Sequence, residues 1–271
     1  MLIDSASNKK IKLMEGLRLR KHRAKEGLFR IEGVRLAEMA AASGWAIRFG
    51  LYTAELVEKE RGRALVEALQ AKCPLYEIGA ALAKKVAATD TPQGIFLVAE
   101  QQKKSLPQMA EHLQQAAARK PLLVVLDGVQ DPGNAGTIIR TADAVGADGV
   151  ILTKGSVDVF SDKTVRATMG SLFHLPVVTD VSAEEVAVFA QATGCQLLAT
   201  ALDEQAKPHF AVDFGKGSLI AFGNEGGGVS EELLAAAEKV YIPMYGEAES
   251  LNVGVSSAVV LYEAVRQRHF A

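Results

Sequence analysis

The sequence predicts an α/β protein in two parts, a small N-terminal α/β domain and a larger α/β domain on an open, mostly parallel sheet. Three observations carry this. Short apolar runs alternate with Ala/Glu-rich helical segments through both halves of the chain. The run PLLVVLDG at 121–128 is continuously apolar, as strands buried on both faces of a parallel sheet are. Between the halves, QQKKSLPQMAEHLQQAAARK at 101–120 is polar and carries no strand pattern, which sets the expected division at 1–105, a linker at 106–120, and 121–271.

The elements follow in order. Residues 7–25 are charged, with Ile11, Met14 and Leu17 near helical spacing, which predicts one helix with an apolar stripe and an exposed basic face. LFRIEG at 28–33 reads as a strand, 34–42 as a helix, IRFGLYT at 47–53 as a strand and 64–71 as a helix. Strands at 75–78 and 94–100 complete the first part, and 108–118 is made of strong helix formers. Beyond it, strands are expected at 121–128, 149–153, 176–178, 195–201, 218–223 and 239–243. Helices fit between and after them at 135–145, 162–169, 183–192, 231–238 and 253–268.

With 271 residues, 49% of them apolar and 23% charged, the chain suits a globular protein with a real core. Cys73 and Cys195 stand far apart with no neighbour at metal-ligand spacing, so buried inert thiols are expected, with no metal site and no disulfide framework. No apolar leader and no run of membrane-spanning length is present, and a cytoplasmic protein away from membranes is expected. The total charge of −2 hides an asymmetry: the first 35 residues hold ten basic and four acidic residues, a net of +6, leaving −8 for the rest. Such an arm, with Lys9, Lys10, Arg18, Arg20, Lys21, Arg23 and Arg30, would concentrate a polyanion such as a nucleic acid. A solvated helix face explains the same residues without a partner.

Three stretches after strands carry the chemistry. In LDGVQDPGNAGTIIRTADAVGADGVIL (126–152) the Asp131–Asn134 turn opens a helix that Asn134 could cap, with Arg140 less than two turns on. Amide dipoles and a forked guanidinium there could hold phosphate or ribose oxygens, but a plain βα turn followed by a surface arginine reads the same. It is no Walker A loop, because Asn134 and Ala135 stand where Lys and Ser/Thr are required, and no G-x-G-x-x-G follows the strand. Kinase, ATPase and dinucleotide-dependent dehydrogenase readings lose their support. In LIAFGNEGGGVSEELL (219–234), Gly223, Gly226, Gly227 and Gly228 let backbone approach a planar ligand, and Asn224 and Glu225 add polarity without a cation. That suits a nucleoside better than a polyphosphate, the alternative being a flexible loop. In YIPMYGEAESLNVGVSSAVVLYEAVRQR (241–268), Ser250, Leu251 and Asn252 open the last helix, where Ser250 can also be no more than a cap.

In this order the three stretches resemble the SpoU or TrmH branch of the SPOUT methyltransferases over about 150 residues. NKKIKLMEGLRLRKHRAKEGLFRIEGVRLAEMA and TDTPQGI resemble the substrate-binding domain often found ahead of that catalytic domain. The resemblance implies an N-terminal RNA-binding domain followed by an α/β-knot catalytic domain with a deep trefoil knot. It implies S-adenosylmethionine as methyl donor, held by Thr200, Gly223, Glu225, Gly226, Ile242, Met244, Leu251 and Val253. It implies catalytic positions at Asn134, Arg140, Glu225, Ser250 and Asn252, a homodimer, and RNA as acceptor, ribosomal before transfer RNA. Arg140 is expected to clamp phosphate and stabilise a developing alkoxide, since a guanidinium holds its proton too firmly to be a good base. Gly254 stands where many relatives carry Ser, and Ser256 and Ser257 where small apolar residues are common. A non-catalytic RNA-binding protein of the same fold is the competing expectation.

Overall fold

The structure, a computed structural model, describes residues 1–115 and 120–270. The chain forms two compact units, one of Met1–Gln102 with Asp158–His174, the other of Lys103–Val157 with Leu175–Ala271.

The first unit begins with β1 (Leu2–Ile3), α1 (Lys9–Gly16), α2 (Arg20–Glu26) and β2 (Leu28–Glu32). It continues through α3 (Val34–Ala42), β3 (Ile47–Tyr52), α4 (Ala54–Glu58), α5 (Glu60–Gln70), β4 (Leu75–Ile78), α6 (Ala80–Val86) and β5 (Ile95–Glu100). Its five strands run in the order β1-β4-β3-β5-β2, with β5 antiparallel to both neighbours. Ile11, Met14 and Leu17 are fully buried against Leu51, Phe96 and Val98, so the apolar stripe is where the sequence puts it.

The single helix expected over 7–25 is two. After Gly16 the chain turns, and Leu19 is extended. The Arg23 guanidinium fixes this turn, its Nη1 donating to the carbonyls of Leu17 and Arg18 at 2.8 and 2.7 Å. These are the carbonyls that a helix end leaves without partners.

The second unit holds α7 (Leu106–Gln115), β6 (Leu122–Asp127), α8 (Pro132–Ala144) and β7 (Gly149–Thr153). The last three residues of the helix expected at 108–118 lie outside the described residues. The next helix, α9 (Asp162–Ala167), was expected between strands of the second domain but belongs to the first unit. There Phe160 and Phe173 pack with Phe29 and Trp45, ring centroids 5.1–6.5 Å apart. The second unit then continues with β8 (Val177–Val181), α10 (Ala183–Thr193), β9 (Gln196–Thr200), β10 (Lys207–Pro208) and β11 (Ser218–Gly223). It ends with α11 (Glu231–Ala236), β12 (Glu238–Tyr241) and α12 (Val253–Phe270).

The seven strands of this unit are all parallel, in the order β10-β12-β9-β11-β6-β7-β8. β6, β7 and β11 are buried along their whole length, which is why their sequences are continuous apolar runs without alternation. Both cysteines are buried free thiols, and burial pushes Cys73 up to about 11. Among the described residues, no helix is long and apolar enough to cross a membrane.

Candidate functional site

The carboxyl ends of β9, β11 and β12 open onto a cleft of about 570 Å³. Open parallel sheets bind ligands at this end. Its wall combines three segments: Thr200 to Leu202 after β9, the glycine loop from Gly223 after β11, and the chain from Tyr241 to the first residues of α12.

The glycine loop is a closed backbone ring. Asn224 N–H donates to the Gly228 carbonyl at 2.8 Å, and Gly228 N–H returns to the Asn224 carbonyl at 2.9 Å. Within it, Asn224 Oδ1 accepts from Gly226 and Gly227 N–H at 2.9 and 3.0 Å, while Nδ2 donates to the Gly128 carbonyl at 2.8 Å. Gly223 is required by close approach: a Cβ there would fall inside the backbone of Gly228 and Val229. Beneath the loop, the buried Asp127 accepts from Ser230 N–H and from Thr153 Oγ1, both at 2.7 Å, tying β6, β7 and the start of α11 together.

A second network joins the loop to α8 and α12. The first turn of α8 is capped by Asp131, whose Oδ1 accepts from Asn134 N–H at 2.8 Å, with Pro132 at the first helical position. The expected cap, Asn134, is therefore free to reach outward. Its Nδ2 donates to Glu225 Oε1 at 2.9 Å, and its Oδ1 accepts from Asn252 Nδ2 at 3.0 Å. Asn252 in turn caps α12, its Oδ1 accepting from Gly254 and Val255 N–H at 2.9 and 3.3 Å. The cap of this helix is thus Asn252, and Ser250 lies before it on the cleft wall.

Glu225 also accepts from the backbone N–H of Gln130 and Asp131, each at 3.2 Å. Burial opposes its charge, but Asn134 and the surrounding backbone N–H groups together hold its carboxyl below the usual carboxylate range.

All eight residues expected to hold the methyl donor line this one cleft, as do Ser250 and Asn252. Asn134 reaches it through Glu225 and Asn252. Arg140 is not on the wall; it is exposed on α8, and its side chain makes no hydrogen bond or ion pair among the described residues. It lies one turn beyond Thr137, the residue that a Cβ at Gly254 of α12 would meet at 3.1 Å. Ala201 and Val240, read from the sequence only as strand residues, are also on the wall, and so is Leu202, which lies in a loop with no periodicity to read. Asp127 was passed over as the end of an apolar run. A carboxylate closing a strand that is otherwise apolar was the available signal.

The basic arm divides. Lys9, Arg20 and Lys21 are exposed, and so is Arg18, whose Nη2 donates to the Lys85 and Ala87 carbonyls at the end of α6. Lys10 is half-buried, its ammonium 4.6 Å from the Tyr76 ring centroid. Arg23 and Arg30 correct the expectation of a wholly exposed face: they are 4% and 2% exposed. Arg23 pairs with Asp158 at 2.7 Å and Arg30 with Asp162 at 3.1 Å, because a guanidinium taken out of water needs an opposite charge. Burial lowers the pKa of Arg30 and Asp162 opposes it.

A parallel sheet whose carboxyl edge opens onto a cleft of glycine backbone, apolar side chains and one carboxylate, with no lysine or arginine among the described lining residues, defines an α/β protein with a cleft suited to a nucleoside. Residues 121–262 match the SpoU rRNA Methylase family, and residues 8–97 match the MRM3-like substrate binding domain. The chain belongs to the SpoU rRNA methylase family. It is 38% identical over 261 residues, 96% of this chain and 97% of the relative, to the 23S rRNA (guanosine(2553)-2'-O)-methyltransferase RlmP of Bacillus subtilis. It is 34% identical, over 92% of this chain and 86% of the relative, to a 23S rRNA (uridine(2479)-2'-O)-methyltransferase of Streptomyces viridochromogenes. The crystal structure of an AdoMet-bound rRNA methyltransferase from Sinorhizobium meliloti superposes with a TM-score of 0.87 at 33% identity, over 100% of this chain and 99% of that one. The mixed α/β architecture with its parallel sheet is the one expected from the sequence.

Proposed function

We propose that this protein transfers a methyl group from S-adenosylmethionine to a ribose 2′-hydroxyl of ribosomal RNA. The observation that carries the reading is the cleft, whose described lining residues include no lysine or arginine and one carboxylate, Glu225. The donor is a nucleoside bearing a sulfonium cation, and a wall without cations accepts it while a phosphate site would repel it. Ile242, Leu251 and Val253 supply apolar surface for the adenosine, and the glycine loop supplies backbone donors and acceptors close at hand. The residues present therefore fit the group. When bound, it supplies an electrophilic methyl carbon.

The chain's own residues then have the acceptor to manage. A ribose hydroxyl is a weak nucleophile at neutral pH, so it must be held in line and its developing negative charge stabilised. Arg140, uncommitted on α8, takes the adjacent phosphate and the incipient alkoxide, and the hydroxyl proton leaves to water. Asn134, Ser250 and Asn252 orient ribose and phosphate. Glu225, acceptor of bonds from both sides of the cleft, fixes the loop and Asn134 together. Lys9, Lys10, Arg18, Arg20 and Lys21 draw the RNA to the N-terminal domain, within a division at 1–105, 106–120 and 121–271.

Large apolar side chains stand exposed on and beside α12: Val255 at 51%, Tyr262 at 54% and Phe210 at 55%. They support a homodimer, as the family resemblance implies. The trefoil knot belongs to the same reading, as does a cytoplasmic location alongside the ribosomal RNA.

The test is methyl transfer from labelled S-adenosylmethionine to unmodified ribosomal RNA, with transfer RNA in parallel. Arg140→Lys should bind the donor normally and lose transfer by about 100-fold or more, since a point charge cannot reproduce the planar fork. Donor binding without transfer to either RNA by the unaltered protein would favour a non-catalytic RNA-binding protein. Retained transfer in Arg140→Lys would remove the arginine's role.

A further inference from the structure

The first unit holds a cavity of its own, about 430 Å³, within the range of about 300–1,000 Å³ typical of small-ligand sites. It is formed by the start of α3, the turn from β3 into α4, the start of α5 and the loop before β5. Its chemistry is the opposite of the donor cleft. Three cations, Arg35, Lys59 and Arg61, stand around it against one carboxylate, Glu55. Arg61 is committed, with Nε and Nη2 each 2.6 Å from a carboxylate oxygen of Glu38. The side chains of Arg35 and Lys59 are exposed and make no hydrogen bond or ion pair among the described residues, Arg35 contributing only a longer-range attraction to Glu38.

Between these cations the lining is mixed, with an apolar patch of Val34, Leu56 and Pro92 beside Thr53 and Glu55. Gln93 lies between the two kinds of surface: its Oε1 accepts from Val34 N–H at 2.8 Å, which orients the amide and leaves Nε2 as a donor. Two glycines in the lining allow the surrounding segments to pack closely, since no Cβ could be added at either. At Gly94, with φ +79°, a Cβ would meet Thr53 Oγ1, and at Gly62 it would meet the Leu56 carbonyl.

A base-sized hollow with an apolar patch, one oriented amide donor and two cationic side chains at its rim matches a nucleotide taken out of a stack. Its flat base can be covered by apolar groups, while its phosphates need charge. We propose that this cavity holds one unpaired nucleotide of the RNA acceptor. The base lies against Val34, Leu56 and Pro92, its edge meets Gln93 Nε2, and the flanking phosphates lie on Arg35 and Lys59. The inference rests on the reading that the acceptor is RNA, and it assigns the grip to side chains outside the basic arm of α1 and α2.

The test uses the full chain with Arg35→Ala and Lys59→Ala combined; both side chains are solvent-exposed, so the fold should tolerate the change. With unmodified 23S rRNA transcribed in vitro as the probe, the variant should show KM for RNA raised about tenfold or more, with kcat at saturating RNA unchanged. The slope of log affinity against log salt should become shallower by about 1.4, which is two single-strand phosphate contacts at about 0.7 each. Donor affinity should be unchanged. Ultraviolet crosslinking of RNA to the unaltered protein should place adducts within residues 34–35, 59–61 or 92–94. An unchanged KM and salt slope, or adducts confined to α1 and α2, would overturn the assignment. If the unaltered protein binds this RNA without methylating it, the enzymatic reading fails while the binding and crosslinking arms still decide the cavity.

Discussion

Gly223→Ala probes the construction of the donor cleft at its tightest point. A methyl group there would fall inside the backbone of Gly228 and Val229, much closer than the 3.0 Å below which real Cβ contacts essentially do not occur. No side chain can swing aside, because the obstacle is main chain, and Val229 is 4% exposed in the core. The loop must retreat by about 1 Å or more, at a cost of about 1–3 kcal/mol for an overpacked site. That retreat strains the paired Asn224–Gly228 hydrogen bonds and shifts Gly226 and Gly228 on the cleft wall. Expressed fully in donor binding, even about 1.4 kcal/mol is a tenfold weaker Kd. Gly227→Ala, in the same loop but off the cleft wall, is the matched control. Its Cβ would have Asn224 Oδ1 as nearest neighbour at 3.8 Å, an ordinary contact. Calorimetric titration with S-adenosylmethionine and a thermal melt of both variants should show a large loss only at Gly223. Equal affinities for Gly223→Ala and the unaltered protein would refute the reasoning.

Three further outcomes follow from the same geometry. Asn134→Ala breaks the bridge between Glu225 and Asn252, and single-turnover methyl transfer should fall by about 100-fold, with a much smaller change in donor Kd. Asp162→Ala leaves the buried Arg30 with Glu32, at 3.9 Å, as its remaining counter-charge, and urea unfolding should show a loss at or below the lower end of about 3–5 kcal/mol, since Asp162 also keeps 20% exposure. An apolar pair, Arg30→Met with Asp162→Leu, should recover most of it. Glu225 has a lowered pKa, so its contribution is fully present above the unfolded carboxylate value of about 4.3 and is lost as pH falls through the lower folded value. Donor affinity should therefore hold steady from neutral pH to below that value, and Glu225→Gln should remove the acid-side decline. A decline centred at an ordinary carboxylate pKa would count against the network.

The sheet of the second unit was legible because its strands are buried on both faces. GVILT and SLIAFG are apolar except for one terminal hydroxyl residue each, Thr153 and Ser218, and their limits agree with the structure. Short elements such as β1, β10, α4 and α6 were not foreseen, having too few residues for a period to show. The start of α8 was misread because Asp131 and Asn134 are both good caps, and the choice depends on which oxygen meets the first free N–H. That choice decides the site, since it leaves Asn134 for Glu225 and Asn252. The fate of Arg23 and Arg30 was hidden for another reason. Their partners, Asp158 and Asp162, lie more than 120 residues away in a segment that local pattern assigned to the other half of the chain. The gathering of Thr200, Gly223, Ile242 and Leu251 into one cleft came from the family resemblance, because periodicity does not show which strand ends adjoin.

The central claim is the bond that is made. The most direct measurement is to incubate the protein with S-adenosylmethionine and unmodified 23S rRNA, digest the RNA to nucleosides and identify the methylated product by mass spectrometry. The account predicts a single 2′-O-methylnucleoside at stoichiometric yield. A base-methylated nucleoside, or no methylated product from protein shown to bind the donor, would contradict it.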